Sequence, residues 1–381
     1  MEKQLLGDAH RLGILGGGQL GRMLIQEAIA YDIHVHIMEN DDNAPSSKMA
    51  TSFTKGDITN YDDVMAFGAS MDVLTVEIEN VNIEALYELE EQGVKVYPQP
   101  RVLEIIKDKG TQKAFYAEND IPTSDFELFP ENPSMDALAA KVPFVHKMRT
   151  GGYDGKGVQI IRSEEDLKNC FTVPSLAEDL VPFEKELSVI VARNKRGESE
   201  VYPAVECEFN EANLVAFLFS PANISAEIEA KAKAVAIDVI NKLEMVGILA
   251  VELFLTREGE LLVNEVAPRP HNSGHHTIEC NTTSQFEQHM RSVLNMPLGS
   301  TRTIQAGAML NLIGSEGFTG TAVYDGLEEI LKHPGVHPHI YGKQTTKPFR
   351  KMGHITVSAP TISEAKTIAG KIKGKLRVIA S

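Results

Sequence analysis

Apolar runs and helically spaced segments alternate along the early part of the chain. Arg11–Gly16 is a short apolar run ending in glycines, and Gln19–Tyr31 then sets Leu20, Met23, Leu24 and Ala28 on one helical face. Ile33–Met38 reads as a second strand, Val73–Glu77 and Val94–Tyr97 as further buried strands, and Ile83–Gln92 as a helix between them. Such alternation predicts a parallel α/β sheet, ending near Pro98–Gln112.

The pattern then changes. Val142–His146 and Val158–Arg162 flank a glycine-rich loop, as the arms of a hairpin do. Glu186–Ala192 and Val201–Val205 alternate like antiparallel strands, Ala226–Leu243 is an amphipathic helix, and Leu249–Leu255 and Leu261–Val266 are strands joined at Glu258-Gly259. The middle therefore reads as α+β. Near the end, Ile355–Ser358 and Leu376–Ile379 read as strands around a helix from Ser363 to Lys373.

At 381 residues the chain can hold two or three domains and several cores without disulfides. Its formal charge of −16 excludes a generally basic nucleic-acid coat, and no nucleic-acid partner is expected. That charge is uneven. The last 51 residues, from Leu331, hold ten Lys/Arg and one acid, Glu364, so they carry +9 in a chain whose remainder is −25. A basic terminal region of this kind points to a bound anion. Cys170, Cys207 and Cys280 are widely spaced with no CxxC, which argues against a disulfide framework or a cysteine zinc site and fits a reducing cytoplasm. Met1–Arg11 has no apolar leader core, and the apolar run from Leu12 to Leu24 is cut by glycines, Gln19 and Arg22. The expectation is a soluble cytoplasmic protein with no membrane role.

Candidate chemistry begins at Gly16-x-Gly18-x-x-Gly21, between a strand and a helix. Glycines there let the backbone approach a phosphate at the helix N-terminus, and Glu39 follows the second strand at the spacing of a dinucleotide site. A nicotinamide-dependent oxidoreductase is thus one reading. A second glycine loop, Lys147-Met-Arg-Thr-Gly-Gly-Tyr-Asp-Gly-Lys-Gly157, changes the balance. Its backbone N–H groups can wrap a triphosphate while Lys147 and Lys156 neutralise it, although no Gly-Lys-Ser/Thr opens a helix. Glu178-Asp-Leu-Val181 followed by Glu186 is the kind of stretch that meets a purine edge and ribose hydroxyls. Glu252 and Glu265 lie on adjacent strands among apolar neighbours, and paired carboxylates beside phosphates are how proteins hold Mg²⁺. Arg269 and His271 follow, suited to an anionic intermediate. His271, His275 and Glu279 have zinc-like spacing, but Pro270 and Asn272-Ser-Gly274 argue for a loop, and His275 and His276 read as loop packing. Lys343, Arg350 and Lys351 crowd into the basic end, where they can clamp a phosphate monoester.

Together these residues resemble the ATP-grasp carboxylases of purine biosynthesis, the 5-(carboxyamino)imidazole ribonucleotide synthases. GGGQLGRML, GGYDGKG, EDLVPFEKELSV, NEVAPRPHNSGH and the late RKMGH occur in that family's order over almost the whole chain. The resemblance implies a Rossmann-like N-terminal domain (1–110), an ATP-grasp core (111–300, divided near 182) and a small basic β-rich C-terminal domain (301–381). It implies a homodimer that joins bicarbonate to the amine of 5-aminoimidazole ribonucleotide, using ATP and Mg²⁺, or Mn²⁺ in its place. It assigns ATP to Lys109, Lys147, Gly152, Tyr153, Asp154, Gly155, Lys156, Gly157, Val158, Glu178, Asp179, Leu180, Val181, Glu186, Asn264 and Glu265, and the metal to Glu252 and Glu265. It places Gln19, Leu20, Glu77 and Asn272 on the ribonucleotide, with Lys343, Arg350 and Lys351 on its phosphate. Tyr153, Asp154, Lys156, Arg269 and His271 line the reacting end. In Lys107-Asp-Lys109 the family usually has Asp-Arg, so Lys109 keeps the charge but loses the bidentate fork. The formate-dependent glycinamide ribonucleotide transformylase shares the VELF, PRPH and terminal basic motifs, and is the competing reading within the fold. It has glutamate where Gln19 stands.

Overall fold

The computed structural model describes residues 10–152, 157–209 and 215–381. The N-terminal region is a five-stranded parallel sheet in the order Ser52–Lys55, His34–Glu39, Arg11–Leu15, Val73–Val76 and Lys95–Val96. Its centre is apolar because both faces are covered. Leu12, Ile14, Leu15, Val73, Leu74 and Val76 are all buried, with the helix Gln19–Ala30 on one side and Ile83–Glu91 on the other. Strand order reverses between Arg11–Leu15 and Val73–Val76, the place where open α/β sheets open a crevice. The residues next after or ending these strands are Gly16, Glu39 and Glu77.

Sequence pattern located this region's buried strands but passed over Ser52–Lys55 and the helix Tyr61–Gly68. That strand is an edge with mostly exposed side chains, so it lacks the apolar signature of its neighbours.

The middle of the chain contributes two antiparallel layers. Phe126–Phe129, Ser175–Asp179, Phe144–Met148 and Val158–Ile161 form a four-stranded sheet in that order. Facing it is part of a larger nine-stranded sheet, whose main path runs Leu261–Ala267, Gly247–Thr256, Phe183–Arg193, Val205–Phe209, Val215–Ser220, Ala306–Ile313, Lys351–Ala359 and Val336–Ile340. The amphipathic helix Ala226–Lys242, capped by the Ser225 side chain, buries Ala232, Ala236, Val239 and Ile240 against it. The basic C-terminal strands therefore continue the core sheet through Val215–Ser220.

Val201–Val205 is not one strand. Ser199–Val201 and Val205–Phe209 are separate, because Pro203 has no N–H to give a ladder. The neighbouring amides turn elsewhere: Tyr202 N donates to Ile190 O, and Ala204 N to the Glu229 carboxylate.

Candidate active site

The first glycine turn is filled from within the chain. Glu77 Oε1 accepts from Gly18 N and its Oε2 accepts from Gly21 N at 2.6 Å, while Glu39 Oε2 accepts from Gly17 N at 3.1 Å. A carboxylate thus occupies the helix N-terminus where a dinucleotide's pyrophosphate would sit. Glycine is required for that approach, since a Cβ on Gly18 would stand 2.6 Å from Glu77 Oε1. Burial pushes the Glu77 carboxyl up, and Glu39 adds to this, while the two N–H groups and Arg269 oppose it. Glu39, the acid that suggested a nicotinamide site, serves instead to close this turn.

The second glycine loop opens on cations. Lys147 Nζ sits 3.1 Å from Glu178 and donates to Asn264 Oδ1 at 2.8 Å, so it joins the four-stranded sheet to the larger one. Lys113 shares Glu178 at 3.2 Å and also donates to Thr123 and Ser124 hydroxyls. All three charges are nearly buried: Lys113 is 2% exposed, Glu178 3% and Lys147 7%. Burial alone would raise the Glu178 carboxyl, but Lys147 and Lys113 hold it below the usual range. Lys109 pairs with Glu265, and its own N–H donates to Arg149 O at the start of the loop. Burial first, then the Lys147 charge, lower the Lys109 ammonium to about 8. At the loop's neck Gly157 has φ +84°, and a Cβ there would be 2.9 Å from Gly152 Cα, so neither bulk nor an ordinary backbone fits.

A bulge explains how one strand reaches both lysines. The register between Gly247–Thr256 and Leu261–Ala267 shifts between Val251 and Leu253, so Asn264 and Glu265 together oppose Glu252. Consecutive residues normally point to opposite faces, but here Asn264 meets Lys147 and Glu265 meets Lys109. Burial raises the Glu252 carboxyl, against the pull of Lys109, Lys147, Lys351 and Arg269. Burial also pushes Glu186 up to about 7, helped by Glu252. Among the described residues no three His, Cys, Asp or Glu groups are arranged to hold a metal. Glu252 and Glu265 lie opposite each other on the two strands.

The reacting end lies between these two regions. His271 Nε2 is 3.5 Å from Glu252 Oε1, and its Nδ1 is 2.9 Å from Ser273 Oγ. Burial, with Arg269 and Lys351, lowers the imidazole to about 3, so it is neutral at physiological pH. Arg269 pairs with Glu79 at 3.0 Å and its charge acts on both Glu77 and Glu252. Lys351 from the basic end acts on Glu252 and His271 as well. Lys343 Nζ donates to Lys351 O at 2.7 Å. Arg350 is anchored through Nη1, which donates to Thr345 O at 2.7 Å and to Thr345 Oγ1 at 3.0 Å, and its charge acts on Tyr324. His275 and His276 are buried, and His275 packs against Phe286 and His354, as loop packing requires.

Gln19 opens the helix after the first glycine turn and Leu20 is buried beneath it. Gly152 and Val158 flank the second loop, Asp179 ends the strand Ser175–Asp179, and Leu180 and Val181 lead from it to Phe183–Arg193. Asn272 starts a short turn beside His271. Tyr153, Asp154, Gly155 and Lys156 lie outside the described residues. Sequence reasoning missed Lys113 and Arg149. Arg149 clamps Asp108, the cap of the helix that begins at Lys109, with Nη2 at 2.8 Å. Nothing in the local sequence marks Lys113, on the helix Lys109–Glu118, as buried.

The ribonucleotide synthetase preATP-grasp domain family matches residues 9–107, the ATP-grasp domain family residues 114–286, and the phosphoribosylaminoimidazole carboxylase C-terminal domain family residues 307–367. The N5-carboxyaminoimidazole ribonucleotide synthase of Bacillus subtilis is 35% identical, with 93% of each chain covered. The crystal structure of N5-carboxyaminoimidazole ribonucleotide synthetase from Thermotoga maritima superposes with a TM-score of 0.91 at 39% identity, covering 98% of this chain and all of that one. An Aspergillus clavatus N5-carboxyaminoimidazole synthase, solved with ADP and 5-aminoimidazole ribonucleotide, gives 0.88 at 32% identity, covering 96% of this chain and 98% of that one. No helix among the described residues is long and apolar enough to cross a membrane. A carboxylate-filled first turn, a lysine-lined second loop and these likenesses over nearly the full length agree, and the chain belongs to the N5-carboxyaminoimidazole ribonucleotide synthases, ATP-grasp ligases of purine biosynthesis.

Proposed function

We propose that this chain uses ATP and Mg²⁺ to join bicarbonate to the amine of 5-aminoimidazole ribonucleotide, giving the N5-carboxylated ribonucleotide, ADP and phosphate. The observation that carries this reading is the bulge that turns Asn264 and Glu265 together toward Lys147 and Lys109, opposite Glu252. It gathers two cations for a triphosphate and two carboxylates for a metal within one cleft.

Bicarbonate is a poor electrophile, and phosphorylation converts it to carboxyphosphate, which has a good leaving group. Glu252 and Glu265 are the residues that would hold Mg²⁺, which would supply charge to offset the repulsion between the nucleotide's phosphates and the incoming anion. Lys147 and Lys109 stabilise the transferred phosphoryl group. Gly152, Gly157 and Val158 present the loop backbone, Leu180 and Val181 meet the purine, and Glu186 faces the ribose. The side chain of Glu178 serves as the counter-ion of Lys113 and Lys147, which fixes both amines in place. Neutral His271 and charged Arg269 face the carboxylate being transferred. Gln19, Glu77 and Asn272 receive the ribonucleotide base and ribose, and Lys343, Arg350 and Lys351 its phosphate.

ADP release is the test, measured with each substrate omitted in turn. Release should need 5-aminoimidazole ribonucleotide, bicarbonate and Mg-ATP together. Release with glycinamide ribonucleotide and formate instead would overturn the assignment in favour of the transformylase chemistry.

A further inference from the structure

The basic end of the chain meets the first glycine turn at Arg22, a cation inside the string GGGQLGRML to which no role was assigned. Arg22 lies three residues after Gln19 on the same helix, so the two side chains are neighbours on its surface. Its Nη1 donates to Pro45 O at 3.1 Å, and among the described residues no carboxylate pairs with it. The guanidinium rests on Gly342, the residue before Lys343. A Cβ built there would stand 3.1 Å from Arg22 Nη1 and 3.5 Å from its Cζ. Gly342 also has φ +79°, so two separate constraints demand glycine at this contact. Close by, Gln344 Nε2 donates to Asn43 Oδ1 at 3.3 Å, which seals the C-terminal loop onto the N-terminal domain.

Arg22 is thus half-buried between two domains with one neutral acceptor and a fork that can serve a second. Lys343 follows directly, and Lys343 reaches Lys351, whose charge acts on Glu252 and His271. A line of positive charge runs from Arg22 to the reacting end. We propose that Arg22 is a binding residue for the 5′-phosphate of the ribonucleotide, completing from the N-terminal domain a site whose other cations come from the C-terminal end. The assignment rests on the function proposed above. An arginine in this position offers a phosphate dianion two parallel N–H donors, whereas the lysines offer point charges. It also makes phosphate recognition depend on the docking of both domains.

The experiment compares 5-aminoimidazole ribonucleotide with its dephosphorylated riboside in the wild type, Arg22→Met and Arg22→Lys, reading KM and kcat for each and KM for ATP. Arg22→Met should raise the ribonucleotide KM by about 10- to 100-fold, the range of one charge-assisted hydrogen bond. The ATP KM and the riboside kinetics should stay as in the wild type. Arg22→Lys, which keeps the charge and should fold even if methionine does not, should give a smaller rise in the same direction. An equal loss for ribonucleotide and riboside would show Arg22 to be structural, and no loss for either would show it to be a bystander. Either result overturns the proposal while the function stands. A wild-type protein that turns over neither compound would defeat the function and the Arg22 assignment with it.

Discussion

The turn at Gly16–Gly21 and the hairpin rising from Lys147 both bring bare backbone to a loop beside a strand end, yet their surroundings are opposite. The first turn takes in carboxylates, Glu77 on Gly18 and Gly21 and Glu39 on Gly17. The second stands on amines, with Lys147 and Lys109 at its base and Lys113 behind. Glycine permits a close approach in both places, but what approaches is chosen by residues far along the chain. An acid that already satisfies a helix N-terminus removes it as a phosphate site. Amines balanced by carboxylates prepare one.

The largest test of this contrast removes a carboxylate from the second site. Glu265→Gln keeps size and loses charge, so ADP release should fall by at least about 100-fold, the scale of a lost electrostatic stabiliser. The melting temperature should change by only a few degrees, since Lys109 keeps the favourable charges of Glu252 and Glu178. Near-normal turnover would make Glu265 a structural acid. Next come the glycines. Gly18→Ala has an ordinary φ of −76° but drives a methyl into Glu77, whereas Gly157→Ala is strained at φ +84° and meets Gly152. Each should cost about 1–3 kcal/mol. Gly18→Ala should raise the ribonucleotide KM and spare ATP, and Gly157→Ala should do the reverse. If both variants raise the same KM, the two turns do not serve different substrates. A smaller effect belongs to Arg350→Ala. Because its Nη1 is engaged with Thr345, the ribonucleotide KM should rise about tenfold, the low end for a charged hydrogen bond, with ATP unaffected. Loss shared by both substrates would place Arg350 outside the phosphate site.

Much of this was legible in the residues. The strand–helix rhythm of the N-terminal sheet, the helix Ala226–Lys242 and the motif strings all read correctly, because each is local and periodic. The distant pairings were not. Glu77 lies 59 residues from Gly18, and nothing in either segment says that the acid will fill the turn. The bulge at Asn264–Glu265 is a register shift against another strand, invisible in an apolar pattern that looks regular. Arg22 reads as a charge interrupting an apolar run until Gly342 is seen to lie against it. That the C-terminal strands continue the core sheet is not legible either, since sheet membership is decided by hydrogen bonds to Val215–Ser220 and not by composition.

Acid should separate the two turns by the smallest margin. His146, fully buried at the root of the second hairpin, accepts at Nδ1 from Phe171 N at 3.2 Å and contacts Ser175 Oγ through Nε2 at 2.8 Å. Burial lowers this imidazole to about 4, against an ordinary value of 6.5. Its stabilising contribution is therefore full above about pH 6.5 and is lost as pH falls toward 4, because the unfolded hairpin takes up the proton first. Glu77 moves the other way. Its carboxyl is raised by burial, so its contribution is greatest at low pH and is lost as pH rises through the folded value. Going from pH 7.5 to pH 6 should thus cost the second hairpin about 1 kcal/mol, whereas the Glu77 contribution to the first turn is not lost in that direction. Hydrogen exchange, corrected for intrinsic pH dependence, reads this directly. Amides of Phe144–Met148 and Val158–Ile161 should lose several-fold in protection while those of Gly18–Gly21 hold. Equal loss in both regions would mean that they open as one unit, and that the contrast between them is chemical without being mechanical.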